Sequence, residues 1–204
     1  LYQRGIQMNK GRLEAFSDAV IAIVVTIMIL EFKTPETPQI SALWADAPYF
    51  FAYIVTYIFV GVAWYNHHYM FSLTKRVTKS IYWLNNLWLL TMSFLPVATA
   101  WVGRFINARG PEYFYFVVHF AWLLAYWLLS QAIARANQTV APDVYQKITQ
   151  MPIYGILTKW YFWAAQIILV IGIYFFPAVE LLFVAGEVLV IGNKTTSDSD
   201  RLFD

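Results

Sequence analysis

Cysteine does not occur in this chain of 204 residues. That excludes a disulfide framework, a zinc–thiolate centre and a thiol nucleophile, and it removes redox usage as a clue to compartment. Charge is scarce too: 13% of residues are Asp, Glu, Lys or Arg, against about 25% in soluble domains. The net charge of +2 is too small, and the basic residues too dispersed, for a nucleic-acid partner. Histidine occurs three times, as His67, His68 and His119. No HExxH or paired-Asp motif accompanies them, and adjacent histidines on a helix stand about 100° apart. No metal, no cofactor and no enzymatic activity are therefore expected. No inverted or internal repeat, long linker or soluble domain is evident. There is no Thr-Val-Gly-Tyr-Gly run of the kind that lines carbonyl selectivity filters, hence no re-entrant filter loop. No span carries the regular arginine series of a voltage sensor.

What remains is apolar: 60% hydrophobic and 19% aromatic residues, with a mean hydropathy of +0.53. The expected class is all-α and embedded in a lipid bilayer. A membrane crossing needs about 20 apolar residues, and six spans are read, over 12–32, 46–72, 80–106, 111–136, 152–175 and 177–192. Residues 1–192 form a single transmembrane domain and 193–204 a polar cytoplasmic tail. Pro96 is expected to kink the third span and Pro177 to precede the last. No small-residue cleavage site follows the first apolar run, so no cleavable signal peptide is expected. Met8 is a plausible start, and residues 1–7 enter no inference. With the N-terminus inside, eleven lysines and arginines fall on inner segments, and only Lys33, Arg104 and Arg109 fall outside. The positive-inside rule then puts both termini in the cytoplasm of a multi-pass protein of the cell membrane.

The stretch from Gly11 to Phe32, GRLEAFSDAVIAIVVTIMILEF, combines a polar entrance with a long apolar run. At about 100° per residue, Arg12, Phe16, Ala19, Ile23, Thr26, Ile27 and Leu30 share one stripe, while Ser17 and Asp18 fall on other faces. Asp18 should look toward neighbouring helices, because a carboxylate near lipid must find partners. The candidates are Asn66, His67 and His68 at the end of the second span, and Asn85 and Asn86 at the start of the third. These groups form either a buried hydrogen-bond network or a protonatable site. The Ile23 stripe is either a packing face or a hydrophobic constriction in a pore.

Arg12 to Asp18, R-L-E-A-F-S-D, fits R-x-x-x-F-S-D at the mouth of the first span. With the six-span layout and the Asn66-His67-His68 triplet, the chain resembles the transmembrane protein 175 family of lysosomal potassium channels and their bacterial homologues. A single Phe-Ser-Asp implies, by that resemblance, a homotetramer with four copies of the first span around the pore. It further implies that Ile23 forms the constriction, that Ile27 and Leu30 add apolar layers, and that Thr26 contributes to K⁺ preference. Arg12, Phe16, Ser17 and Asp18 form the signature, and Arg12, Ser17 and Asp18 would brace the first span through His67, His68, Asn85 and Asn86. The permeant ion is K⁺. The alternative is a proton-coupled secondary transporter using Asp18 with His67 or His68.

Overall fold

The computed structural model describes residues 9–195, and among these every regular element is helical. The order is α1 (Lys10–Leu30), a 3₁₀ turn (Ile40–Asp46), α2 (Ala47–Leu73), α3 (Lys79–Met92), α4 (Leu95–Arg104), α5 (Arg109–Asn137), α6 (Pro142–Thr149), α7 (Pro152–Leu157), α8 (Trp160–Phe175) and α9 (Val179–Gly192). Most of the tail expected at 193–204 lies outside the described residues.

Local chemistry sets most of these boundaries. Asn9 caps α1 by accepting the Arg12 amide through its side chain, and Thr78 does the same for the Ile81 amide at α3. Pro48, Pro96, Pro142 and Pro152 sit in the first turns of α2, α4, α6 and α7, where a missing amide N–H costs nothing. Asn137 closes the other end of the bundle: its Oδ1 accepts the amides of Lys75 and Arg76, at 2.9 and 3.0 Å, and so ties the α2–α3 loop to the end of α5.

Two expected spans differ in detail, and one short helix is added. The third, Lys79–Arg104, is interrupted close to the expected kink. It breaks at Ser93–Phe94 into α3 and α4, because Pro96 cannot donate to the carbonyl of Met92. The fifth divides at Thr158–Lys159 into α7 and α8. There the Thr158 hydroxyl bonds back to the Tyr154 and Gly155 carbonyls and ends the first piece. Between the fourth and fifth spans lies the short helix α6, an addition to the expected layout. Lys10–Leu30, Ile40–Leu73, Lys79–Arg104 and Arg109–Asn137 are long and apolar enough to cross a membrane. Helix α8, with 16 residues, and α9, with 14, are apolar but shorter.

Helix α5 is the central post, contacting α3, α4, α6, α7, α8 and α9, while α2 packs against α1, α4 and α9. The core is aromatic. Trp88, Trp122, Tyr126 and Phe71 are fully buried, and Trp122 stacks on Tyr126 with ring centroids 5.4 Å apart. Helix α1 lies at the margin. Only 28% of its apolar window is buried, against 56% for α5.

The α2–α4 crossing depends on one glycine. A Cβ on Gly103 would lie 2.8 Å from the Tyr49 Cα and 3.0 Å from its ring. Backbone cannot yield as a flexible side chain does, so Gly103→Ala should cost about 1–3 kcal/mol. Gly110, with open space around it, is the control. Thermal unfolding in detergent should show a lower Tm for Gly103→Ala and little change for Gly110→Ala.

Candidate functional site

Helix α1 has two opposed faces. Leu13, Ser17, Ile21, Val24 and Met28 are buried, spaced four, four, three and four residues apart, which makes one continuous stripe. Turned away from it, Arg12, Phe16, Ala19, Ile23, Thr26, Ile27 and Leu30 are all exposed, as are Ala15, Asp18, Ala22 and Ile29. The large members are open by 51% at Phe16, 56% at Ile23, 41% at Ile27 and 77% at Leu30. One chain thus leaves a row of branched apolar side chains without a partner.

Thr26 interrupts that row with a hydroxyl. It donates to its own helix, with the Ala22 and Ile23 carbonyl oxygens at 2.9 and 3.0 Å. Its proton is therefore committed inward, and its oxygen lone pairs are left on the exposed side. That is an acceptor, the polarity a cation requires.

The buried face is held by a polar chain crossing three helices. The Ser17 hydroxyl donates to the Leu13 carbonyl at 2.9 Å, so its oxygen is free to accept the Asn85 side-chain N–H, also at 2.9 Å. With its amide nitrogen turned to Ser17, Asn85 presents Oδ1 to His67 Nε2 at 2.8 Å. An amide oxygen can only accept, so Nε2 carries the proton. The imidazole is fixed by stacking on Trp88, 4.6 Å between centroids and 8° between planes, and on Phe71 at 4.4 Å. Ser17 and Asn85 are fully buried and His67 nearly so. Each such interhelical bond in an apolar layer is worth about 0.6–2 kcal/mol.

The structure brings together Ser17, His67 and Asn85 but not the rest of the expected group. Asp18 is exposed at the rim and accepts the Trp64 indole N–H at 2.8 Å. It does not bond to a histidine or asparagine, because the turn of α1 that buries Ser17 carries Asp18 outward. Trp64 stacks on His68 at 5.6 Å, so His68 stands beside the Asp18 contact rather than in the Ser17 chain. Asn86 and Asn66 donate to carbonyls of their own helices, those of Tyr82 and Val62. Arg12 is exposed and makes no ion pair among the described residues. Asp18, Ile21, Ala22, Val25, Tyr57 and Trp64 line an open groove of about 390 Å³ between α1 and α2.

Trp64 is a functional candidate outside the group expected from the sequence, and its signal was the i, i+4 spacing to His68. Further along α2, the Thr56 hydroxyl pairs with the Tyr115 hydroxyl at 2.8 Å and accepts from Thr99 at 3.1 Å.

The segment that carries this arrangement has relatives among known proteins. The family model for "Endosomal/lysosomal potassium channel TMEM175" matches residues 12–96, the segment that holds Ser17, His67 and Asn85. A potassium channel from Chryseobacterium sp. is 43% identical over 64% of this chain and 68% of its own. The chain belongs to the TMEM175 family. A second relative, a potassium channel from Streptomyces collinus, is 34% identical over 67% of this chain and 71% of its own. The human endosomal/lysosomal proton channel TMEM175 is 34% identical over 52% of this chain but only 23% of its own length. A crystal structure of a lysosomal potassium-selective channel TMEM175 homolog from Chamaesiphon minutus matches with a TM-score of 0.66 and 26% identity. That match covers 89% of this chain and 96% of the other. TMEM175 is a family of ion channels, not enzymes, and its members are membrane proteins.

The polar chain yields a direct expectation. Asn85→Leu leaves the His67 N–H and the Ser17 oxygen buried without a partner, at about 1–3 kcal/mol. Asn86→Leu removes only a bond within α3. Unfolding of the purified variants should show a clearly lower Tm for Asn85→Leu than for Asn86→Leu; equal shifts would deny Asn85 a cross-helix role.

Proposed function

We propose that this chain is one subunit of a passive potassium channel whose pore is lined by the exposed face of α1. The observation that carries this reading is the division of α1 into a braced face and an unpartnered face bearing Ile23, Thr26, Ile27 and Leu30. One chain supplies one such stripe, and a closed pore needs several copies around an axis. Four copies, as the family resemblance implies, would bring four Ile23 side chains together as a constriction. Ile27 and Leu30 would continue the apolar layer toward one end, and a ring of such side chains closes a pore by excluding water. In the membrane α8 and α9 serve as the fifth and sixth crossings, and the excess of lysine and arginine on inner segments keeps both termini cytoplasmic.

Selectivity has few sources here. The carbonyls along α1 are used in its own i→i−4 bonds, so they cannot replace the hydration shell of K⁺. Pore diameter and the outward lone pairs of Thr26 remain, which favours a modest preference for K⁺ over Na⁺. A proton-coupled carrier built on Asp18 and the histidines finds little support in the geometry: Asp18 bonds to Trp64 and His67 to Asn85, and the two do not bond to each other.

The test is K⁺ and Na⁺ flux into proteoliposomes. Ile23→Ala should widen the constriction and raise flux by about tenfold or more, the equivalent of roughly 1.4 kcal/mol off a barrier. Thr26→Val should retain flux and lower the K⁺ to Na⁺ ratio. Variants that conduct like wild type with unchanged ion preference would remove α1 from the pore.

A further inference from the structure

A second polar assembly lies away from the α1 stripe, between α5 and α9. His119 on α5 has a carboxylate at each ring nitrogen. Nδ1 is 2.9 Å from Glu180 Oε1, and Nε2 is 3.0 Å from Glu187 Oε2, the latter close but not in line. Both glutamates come from α9, two turns apart. A third acid, Glu112, sits in the first turn of α5 within electrostatic range of Glu180. Neither of its side-chain oxygens makes a well-formed hydrogen bond, although the Leu181 backbone lies beside it. Glu112 and Glu180 are fully buried, and so in effect is His119.

Counting protons in this cluster gives a definite answer. A neutral imidazole has one N–H and one lone pair, and an ionised carboxylate has lone pairs only. Two carboxylates on one neutral ring would set a nitrogen lone pair against an oxygen lone pair at about 3 Å. One added proton, on the ring or on a carboxyl, turns that clash into an attraction. A second proton on Glu112 costs less than burying its bare charge beside Glu180.

Among the described residues the surroundings supply no other charge. Helix α2 contributes Thr56 and the Phe59 ring, which meets the imidazole edge-on at 5.3 Å. Helix α4 contributes Thr99, and α5 itself Tyr115, whose hydroxyl is engaged by Thr56. Phe183 of α9 closes another side at 6.4 Å. Helix α8 carries no Asp, Glu, His, Lys or Arg; its one buried polar side chain is Gln166. No described lysine or arginine pairs with the cluster, so protons are the cations that balance it.

Glu187 is the entrance. Its side chain alone is partly open, at 11%. It faces a groove of about 320 Å³ with Ile156, Phe162, Phe183 and Val190. It also borders a cavity of about 20 Å³ walled by Phe59, Val62 and Trp122, in which Glu187 is the one polar lining residue. We propose that Glu112, His119, Glu180 and Glu187 form a proton-binding site separate from the α1 stripe, loaded through Glu187, whose occupancy holds α9 against α2 and α5. Loss of the protons leaves three acidic groups unbalanced across the α5–α9 contact and loosens α9. Proton binding stands on its own; its effect on conduction rests on the channel reading above.

The full chain in nanodiscs provides the test, with thermal unfolding and infrared difference spectra between about pH 6 and about pH 9, and K⁺ flux in vesicles over the same range. The native site holds protons that the unfolded chain releases, so wild-type Tm should fall as pH rises. The spectra should show protonated carboxyl bands that titrate, and flux should change by about threefold or more with pH. Glu187→Gln should flatten all three profiles, and His119→Gln should do the same if it folds. Glu187, at the rim, carries the test if His119→Gln does not fold. A Glu187→Gln protein that keeps the wild-type Tm profile and carboxyl titration overturns the site. A wild type that folds and titrates as expected but passes no K⁺ supports the site and instead sinks the channel reading.

Discussion

A helix at the edge of an apolar bundle needs something to fix its rotation, and in this protein that is the hydrogen-bonded line from Ser17 through Asn85 to His67. Apolar packing alone leaves a helix such as α1 poorly oriented, because lipid tails satisfy leucine as well as protein does. A buried polar line does not tolerate rotation, since a turn of α1 by one residue would strand three groups in an apolar layer. The order of donors and acceptors along it is determined at each step, from the Leu13 carbonyl to the Nε2 proton of His67. Once Ser17 is pinned inward, Ile23, Thr26 and Leu30 must point away from the bundle.

The consequence is a division of labour along one helix. Asp18, one residue past Ser17, is carried to the rim, where the Trp64 indole receives it. The apolar stripe beyond is exposed in a single chain, and on the proposed reading other copies of the chain supply the surface it meets. Its interruption by one inward-donating threonine distinguishes it from the outer surface of α8, where Ile167, Ile168 and Ile171 stand exposed.

Much of this was legible in the sequence, for a physical reason. The 3.6-residue period by itself separates the faces of α1, and the Phe-Ser-Asp signature marks where the polar entrance ends. Asn85 and His67 could be named because polar groups in apolar helices must pair. Which of them pair could not be read: adjacent residues such as Asn85 and Asn86, or His67 and His68, differ by one step of about 100°, and only packing decides which turns inward. Pro96 marked the interruption near Ser93–Phe94 in advance, whereas the break at Thr158–Lys159 depends on the Thr158 hydroxyl bonding back to its own helix. The acids Glu112, Glu180 and Glu187 were visible as charges inside apolar runs, a signal that the first helix overshadowed. That they meet around His119 depends on α9 packing back onto α5, which no local pattern encodes.

The central claim is that the exposed face of α1 lines the conducting path. A chain without cysteine allows a direct measurement: single cysteines at Ile23 and, as a buried control, Met28, exposed to a water-soluble thiol reagent during K⁺ flux. The account predicts rapid loss of flux on modification of Ile23→Cys and none for Met28→Cys. Full modification of Ile23→Cys with undiminished flux, or reaction only with reagents delivered through lipid, would place this face against the bilayer and contradict the account.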